Sequence, residues 1–129
     1  MKIKKILIID DDIEYLNEIE DLLVQEDFEI IKKNNTDDIL NFVKKNKPNL
    51  IILDLKINGL TGIDVAKLLK KDIKTKSLPI MFLTNYDDGY DDDFDKNRIK
   101  LGIKICLKKT IKPEILINEI KKIEWKLKK

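Results

Sequence analysis

Apolar runs of four or five residues, each closed by a polar side chain and followed by a helical pattern, constrain this chain more than any other feature. Ile6-Leu7-Ile8-Ile9 leads into Asp10-Asp11-Asp12, and Leu50-Ile51-Ile52-Leu53 leads into Asp54. Ile80-Met81-Phe82-Leu83 leads into Thr84, and the run from Ile103 to Leu107 leads into Lys108-Lys109. Continuous apolar runs without alternation are the mark of strands buried on both faces, as in parallel sheets. With a fifth run at Phe28–Lys32, strands are expected at Lys5–Asp10, Phe28–Lys32, Leu50–Asp54, Ile80–Thr84 and Ile103–Leu107.

Helical spacing of apolar residues fills the intervals. Ile13, Leu16, Ile19 and Leu23 define a helix over Ile13–Gln25. Ile39, Leu40 and Val43 define a second, with Thr36 or Asp37 as its N-cap and its end before Pro48. Ile63, Ala66 and Leu69 give a third over Ile63–Lys71, with Gly62 at its entrance. A fourth over Asp92–Leu101 rests on Phe94, Ile99 and Leu101, ahead of Gly102. The fifth starts at Pro113, a favoured first-turn residue, and carries Leu116, Ile120, Ile123 and Leu127 on one stripe. Trp125 falls opposite that stripe, so it either folds over the chain end or meets a partner. Five β-α repeats in 129 residues predict one α/β domain, a doubly wound five-stranded parallel sheet with five helices on its two faces.

Charge narrows the function classes. The net charge of +2 is too small to point to nucleic acid. Six Asp fall within residues 87–95 and five Lys within 121–129, runs whose ordinary reading is a solvated surface. Alternating acidic ligands in the Asp run have no Gly at the sixth position, which excludes an EF-hand loop. The single cysteine, Cys106, excludes an internal disulfide and suits a reducing cytosol, so a cytoplasmic protein is expected. The apolar run after the basic start is only four residues long before three aspartates, which fits neither a signal peptide nor a membrane span.

In a parallel sheet the ligand site lies beyond the carboxyl ends of the strands. Asp10, Asp11, Asp54, Thr84 and Lys109 would therefore converge on one edge. Clustered carboxylates repel one another unless a cation stands between them, and a hard ion such as Mg2+ takes oxygen ligands. Asp12 is read instead as the cap of the first helix. Asp54, at the end of the most apolar strand and so in the centre of the sheet, is either a turn former or a nucleophile towards a phosphoryl group. Thr84 and Lys109 supply a hydroxyl and a positive charge suited to phosphoryl oxygens.

These residues, with Pro48-Asn49 before the Asp54 strand, Gly59-Leu60-Thr61-Gly62 after it, and Lys108-Lys109-Thr110-Ile111-Lys112-Pro113, resemble the receiver domain of two-component response regulators from Lys5 to about Lys126. The resemblance implies a stand-alone receiver over residues 1–129 with the flavodoxin-like strand order 2-1-3-4-5. It implies phosphoryl acceptance on Asp54 from a sensor histidine kinase or phosphotransfer protein. Mg2+ would be held by Asp10, Asp11, Asp54 and the backbone carbonyl of Lys56, with Thr84 and Lys109 binding the phosphoryl oxygens. Such a protein is not an enzyme towards other substrates; it catalyses only its own phosphorylation and dephosphorylation. It would signal to a downstream protein target as a monomer or weak dimer, without direct contact to nucleic acid or membrane.

Several positions depart from the family pattern. Cys106 stands where a switching aromatic ring is usual, and Thr110 stands where a proline usually makes a cis peptide, leaving that bond trans or strained cis. Asn58 replaces a common loop proline, Asn85 replaces a small residue beside Thr84, and Lys56 adds a charge at the rim. Cys106, Thr110 and a segment from Thr84 to Gly102 about three residues longer than usual support an alternative, a degenerate receiver acting as a phosphorylation-independent interaction module. A haloacid-dehalogenase-type phosphatase built on Asp10 and Asp12 leaves Asp54 without a role.

Overall fold

In the computed structural model, residues 2–85 and 90–127 are described, Leu127 for its backbone only. The elements run β1 (Lys5–Ile9), α1 (Ile13–Val24), β2 (Glu29–Lys33), α2 (Ile39–Asn46) and β3 (Leu50–Leu53). They continue with α3 (Gly62–Lys71), β4 (Ile80–Thr84), α4 (Asp92–Lys100), β5 (Cys106–Lys108) and α5 (Pro113–Leu127). All strand pairs are parallel, in the order β2-β1-β3-β4-β5. The doubly wound α/β architecture expected from the apolar runs is the one observed, with β3 in the middle.

Burial on both faces explains the unbroken apolar runs. Leu7, Ile9, Ile51, Leu53 and Phe82 point into one core with residues of α2, α3 and α4. Ile6, Ile8, Leu50, Ile52, Met81 and Leu83 point into the other, with residues of α1 and α5. Successive residues serve opposite cores, so no strand position between Ile6 and Ile9 or between Leu50 and Leu53 is left for water.

Some local expectations shift. The N-cap of α2 is neither Thr36 nor Asp37 but Asp38, left-handed at φ 51° and without a side-chain cap bond. Thr36 is occupied elsewhere: its hydroxyl donates to the Asn58 carbonyl at 3.2 Å and accepts from the Leu60 amide at 2.8 Å. Ile13 and Ile99, expected to anchor α1 and α4, are 56% and 62% exposed, and Phe94 alone is buried in α4. Val65 of α3, outside the expected stripe, is fully buried beside Ala66 and Leu69.

The last strand begins at Cys106 rather than at Ile103. Gly102 turns the chain at φ 79°, the left-handed geometry that ends helices, and Arg98 then takes the carbonyls that would start a ladder. Its Nη1 donates to Ile103 O at 3.0 Å and to Lys104 O at 3.2 Å, so pairing with β4 is delayed to the Phe82–Cys106 register.

Candidate functional site

Backbone pairing extends one residue beyond the strands and brings the polar residues together. The Asp54 amide donates to Ile9 O at 3.1 Å, the Asp10 amide to Lys33 O at 3.1 Å, and the Lys109 amide to Thr84 O at 2.9 Å. These are the continuation of parallel ladders whose Ile9–Leu53 and Thr84–Lys108 registers place Asp10 beside Asp54 and Lys109 beside Thr84. Asp10, Asp54 and Thr84 are buried polar groups, a cost met only where each has partners.

Lys109 supplies the central partner. Its Nζ lies 2.6 Å from Asp10 Oδ2 and 3.1 Å from Asp54 Oδ2, with the lysine side chain 8% exposed. The remaining oxygens are also used: Asp54 Oδ1 accepts the Leu55 amide at 2.8 Å, and Asp10 Oδ1 accepts the Asp12 amide at 3.0 Å. Asp12 caps α1, its Oδ1 accepting from the Tyr15 amide at 3.1 Å, as expected of it.

Burial and charge act together on these groups. Burial pushes the Asp10 carboxyl above the ordinary carboxylate value, and the Lys109 hydrogen bond only partly offsets it. Burial would lower the Lys109 ammonium, but the Asp10 hydrogen bond and the charges of Asp54 and Asp10 outweigh it, so its value is raised. The Tyr15 phenol is pushed up by burial first and by Asp10 and Asp54 next, so it stays neutral.

A metal could be held here. One carboxylate oxygen each from Asp10, Asp11 and Asp54 lie within 4.8 Å of one another, and among the described residues this is the group that could serve. The three oxygens suit a hard cation; Asp10 and Asp54 are buried and Asp11 is exposed. Lys56 sits two residues past Asp54 in the loop; Leu55 and Ile57 on either side are buried while Lys56 is exposed. Of the Asp run, Asp87 and Asp88 lie outside the described residues. Asp91 caps α4 by accepting the Phe94 amide at 2.8 Å, Asp92 and Asp93 lie in its first turn, and Asp95 pairs with Arg98 at 2.7 Å. The described part of the run is therefore helix-start chemistry.

No cis peptide occurs among the described residues, so the bond before Thr110 is trans. Cys106 is half-buried, its thiol pushed up to about 11 by burial first. Asn85 is exposed. Trp125 is 59% exposed on the outer side of α5.

Two further residues belong to this site with little sign of it in the sequence. Tyr15 places its ring 4.7 Å from the Lys109 ammonium; its only sequence signal is its place three residues after the capping Asp12. Gly62, in the sequence a helix entrance and the end of the Gly59–Gly62 run, has a steric role the sequence does not show. A Cβ there would collide with the Asp54 carbonyl oxygen and press on the Leu55 backbone and the Phe82 ring, so the strand end can approach α3 only over glycine.

The comparisons agree with this geometry. The response regulator receiver domain model matches residues 6–121. Protein PilH of Pseudomonas aeruginosa is 26% identical over 83 residues, 64% of this chain and 69% of that protein. The phosphate regulon transcriptional regulatory protein PhoB of the same species is 36% identical over 81 residues, 63% of this chain but only 35% of that protein. Among solved structures, a CheY-like receiver domain protein from Methanospirillum hungatei superposes with a TM-score of 0.86 at 21% identity, covering 97% of this chain and 96% of that one. A candidate response regulator from Chloroflexus aurantiacus gives 0.82 at 28% identity, covering 95% and 98%. With the match spanning nearly all of the sheet and the acidic edge built as described, the chain belongs to the response regulator receiver domain family.

Proposed function

We propose that this chain is a phosphorelay receiver that accepts a phosphoryl group on Asp54. The observation that carries the reading is Lys109, held at 2.6 Å by Asp10 and 3.1 Å by Asp54, so that the acceptor carboxylate, a second carboxylate and a cation share one buried edge. A carboxylate oxygen of Asp54 attacks the phosphorus of a phosphohistidine on a sensor kinase or phosphotransfer protein. The phosphorus–nitrogen bond breaks, and its electron pair leaves with the imidazole nitrogen. Such transfer needs alignment and charge neutralisation more than covalent help, and the buried edge is suited to both.

Mg2+ would be held by Asp10, Asp11, Asp54 and the carbonyl of Lys56. When bound, it would neutralise charge on the phosphoryl oxygens. Lys109 and Thr84, which flank the same edge, would bind those oxygens once the acyl phosphate exists, and the added charge would bias the surface that a downstream protein reads. The chain would catalyse only its own phosphorylation and dephosphorylation. No described helix is long and apolar enough to cross a membrane. The proposed receiver would act in the cytoplasm as a monomer or weak dimer.

Incubation with acetyl phosphate and Mg2+, followed by intact mass, tests the reading. Wild type gains a labile phosphoryl mass and Asp54→Asn gains none; a wild type that gains none overturns it. The second reading, a constitutive interaction module, is favoured by one observation: Cys106, opposite Phe82 in the sheet, offers no ring to follow Thr84. It expects partner binding unchanged by Asp54→Asn.

A further inference from the structure

Lys109 is a long, flexible side chain, yet its ammonium is held on more than the two carboxylate sides. The Tyr15 ring faces it at 4.7 Å, within the range where an aromatic face attracts a cation. The ring is half-buried and packed against the core shared by α1 and α5, so it does not swing freely. Its position is fixed by the site itself. Asp10 accepts the Asp12 amide, Asp12 accepts the Tyr15 amide, the Tyr15 ring faces Lys109, and Lys109 returns to Asp10 at 2.6 Å. Four residues thus close a circuit around one ammonium.

We propose that Tyr15 is a positioning residue of the phosphoryl site: its ring, not its hydroxyl, clamps the Lys109 ammonium against Asp10 and Asp54. Two carboxylates alone leave the ammonium a third side open to water, and a hydrated lysine samples many rotamers. The ring closes that side with an attraction that does not compete for the carboxylate oxygens. Lys109 is then already in place when a phosphoryl group arrives, which removes a reorganisation step from the transfer. An aliphatic residue would fill the same volume without drawing the cation. The clamp rests on the phosphoryl-acceptor reading for its purpose, but its geometry can be read without any phosphorylation.

The test uses the full chain as wild type, Tyr15→Phe and Tyr15→Leu, with thermal melting to verify that all three fold. By NMR, the Lys109 ε-methylene protons of wild type and Tyr15→Phe should lie upfield of ordinary lysine because of the ring current, and return to ordinary positions in Tyr15→Leu. With acetyl phosphate and Mg2+, Tyr15→Phe should phosphorylate as wild type does, and Tyr15→Leu about fivefold more slowly. Ordinary ε-methylene shifts in wild type overturn the clamp whatever phosphorylation does. Equal loss of rate in Tyr15→Phe and Tyr15→Leu overturns it too, by assigning the effect to the hydroxyl. Upfield shifts without phosphorylation of any variant support the clamp and overturn the acceptor reading instead.

Discussion

Lys109 Nζ stands 2.6 Å from Asp10 Oδ2, the shorter of the two ion pairs this lysine makes among the described residues. The pair lies inside the protein, where a charge left alone is expensive. Lys109→Met keeps the aliphatic stem and removes the ammonium, leaving Asp10 and Asp54 to face each other. Urea unfolding at low ionic strength without divalent cation should show a loss of about 3 kcal/mol. An unchanged midpoint would mean the carboxylates relax into solvent. The same ammonium fixes a pH limit: its value is raised above the ordinary lysine 10.5, so its contribution is full below that pH. It is lost as pH rises through the raised value. Wild type should therefore lose more stability than Lys109→Met in that alkaline window, as read by melting temperature.

Gly62→Ala should strain the junction between β3 and α3. The new methyl has to displace backbone, the Asp54 carbonyl oxygen, rather than the end of a flexible chain. Overpacking of this kind costs about 1–3 kcal/mol, and the upper part of that range is expected in a urea titration. A wild-type midpoint would show that the helix entrance shifts at no cost.

Thr36→Val removes a hydroxyl that serves two backbone groups of the loop after Asp54. The Asn58 carbonyl and the Leu60 amide both lose their partner. The expected cost is about 1–2 kcal/mol. Faster hydrogen exchange at the Leu60 amide distinguishes local loosening from global loss; unchanged exchange there would contradict the assignment.

Cys106 should be a slow thiol. With its value pushed to about 11 from the ordinary 9.0, the thiolate fraction near pH 8 falls about a hundredfold. An aromatic disulfide reagent should react with the folded protein correspondingly more slowly than with the urea-unfolded chain. Equal rates would place the thiol in an ordinary environment.

The fold was legible because the three inner strands, β1, β3 and β4, announce themselves twice, by unbroken apolar runs and by the polar residue that ends each. Asp10, Asp54, Thr84 and Lys109 could be brought together on paper because strand-end position needs only the sheet. What stayed hidden depends on contacts between distant residues. The start of β5 moved because Arg98 claims the carbonyls of Ile103 and Lys104. The cap of α2 moved because Thr36 serves a loop more than twenty residues away. Ile13 and Ile99 fit a helical stripe yet face outwards, since periodicity gives a face but not where it stops. Tyr15 carries no local mark of the site, because nothing near it in sequence says that a lysine far along the chain will come to lie against it.

The place of β3 in the sheet has a mechanical consequence. Asp54 ends a strand bonded on both sides, to β1 and β4, while Lys109 follows a three-residue strand bonded to β4 alone. In the proposed role, a negative charge added at Asp54 would draw an anchored point and a yielding one together, and the yielding one would take up the displacement. The strand ending at Asp54 would then hold still like an anvil, and the outer edge near β5 would be where movement is taken up.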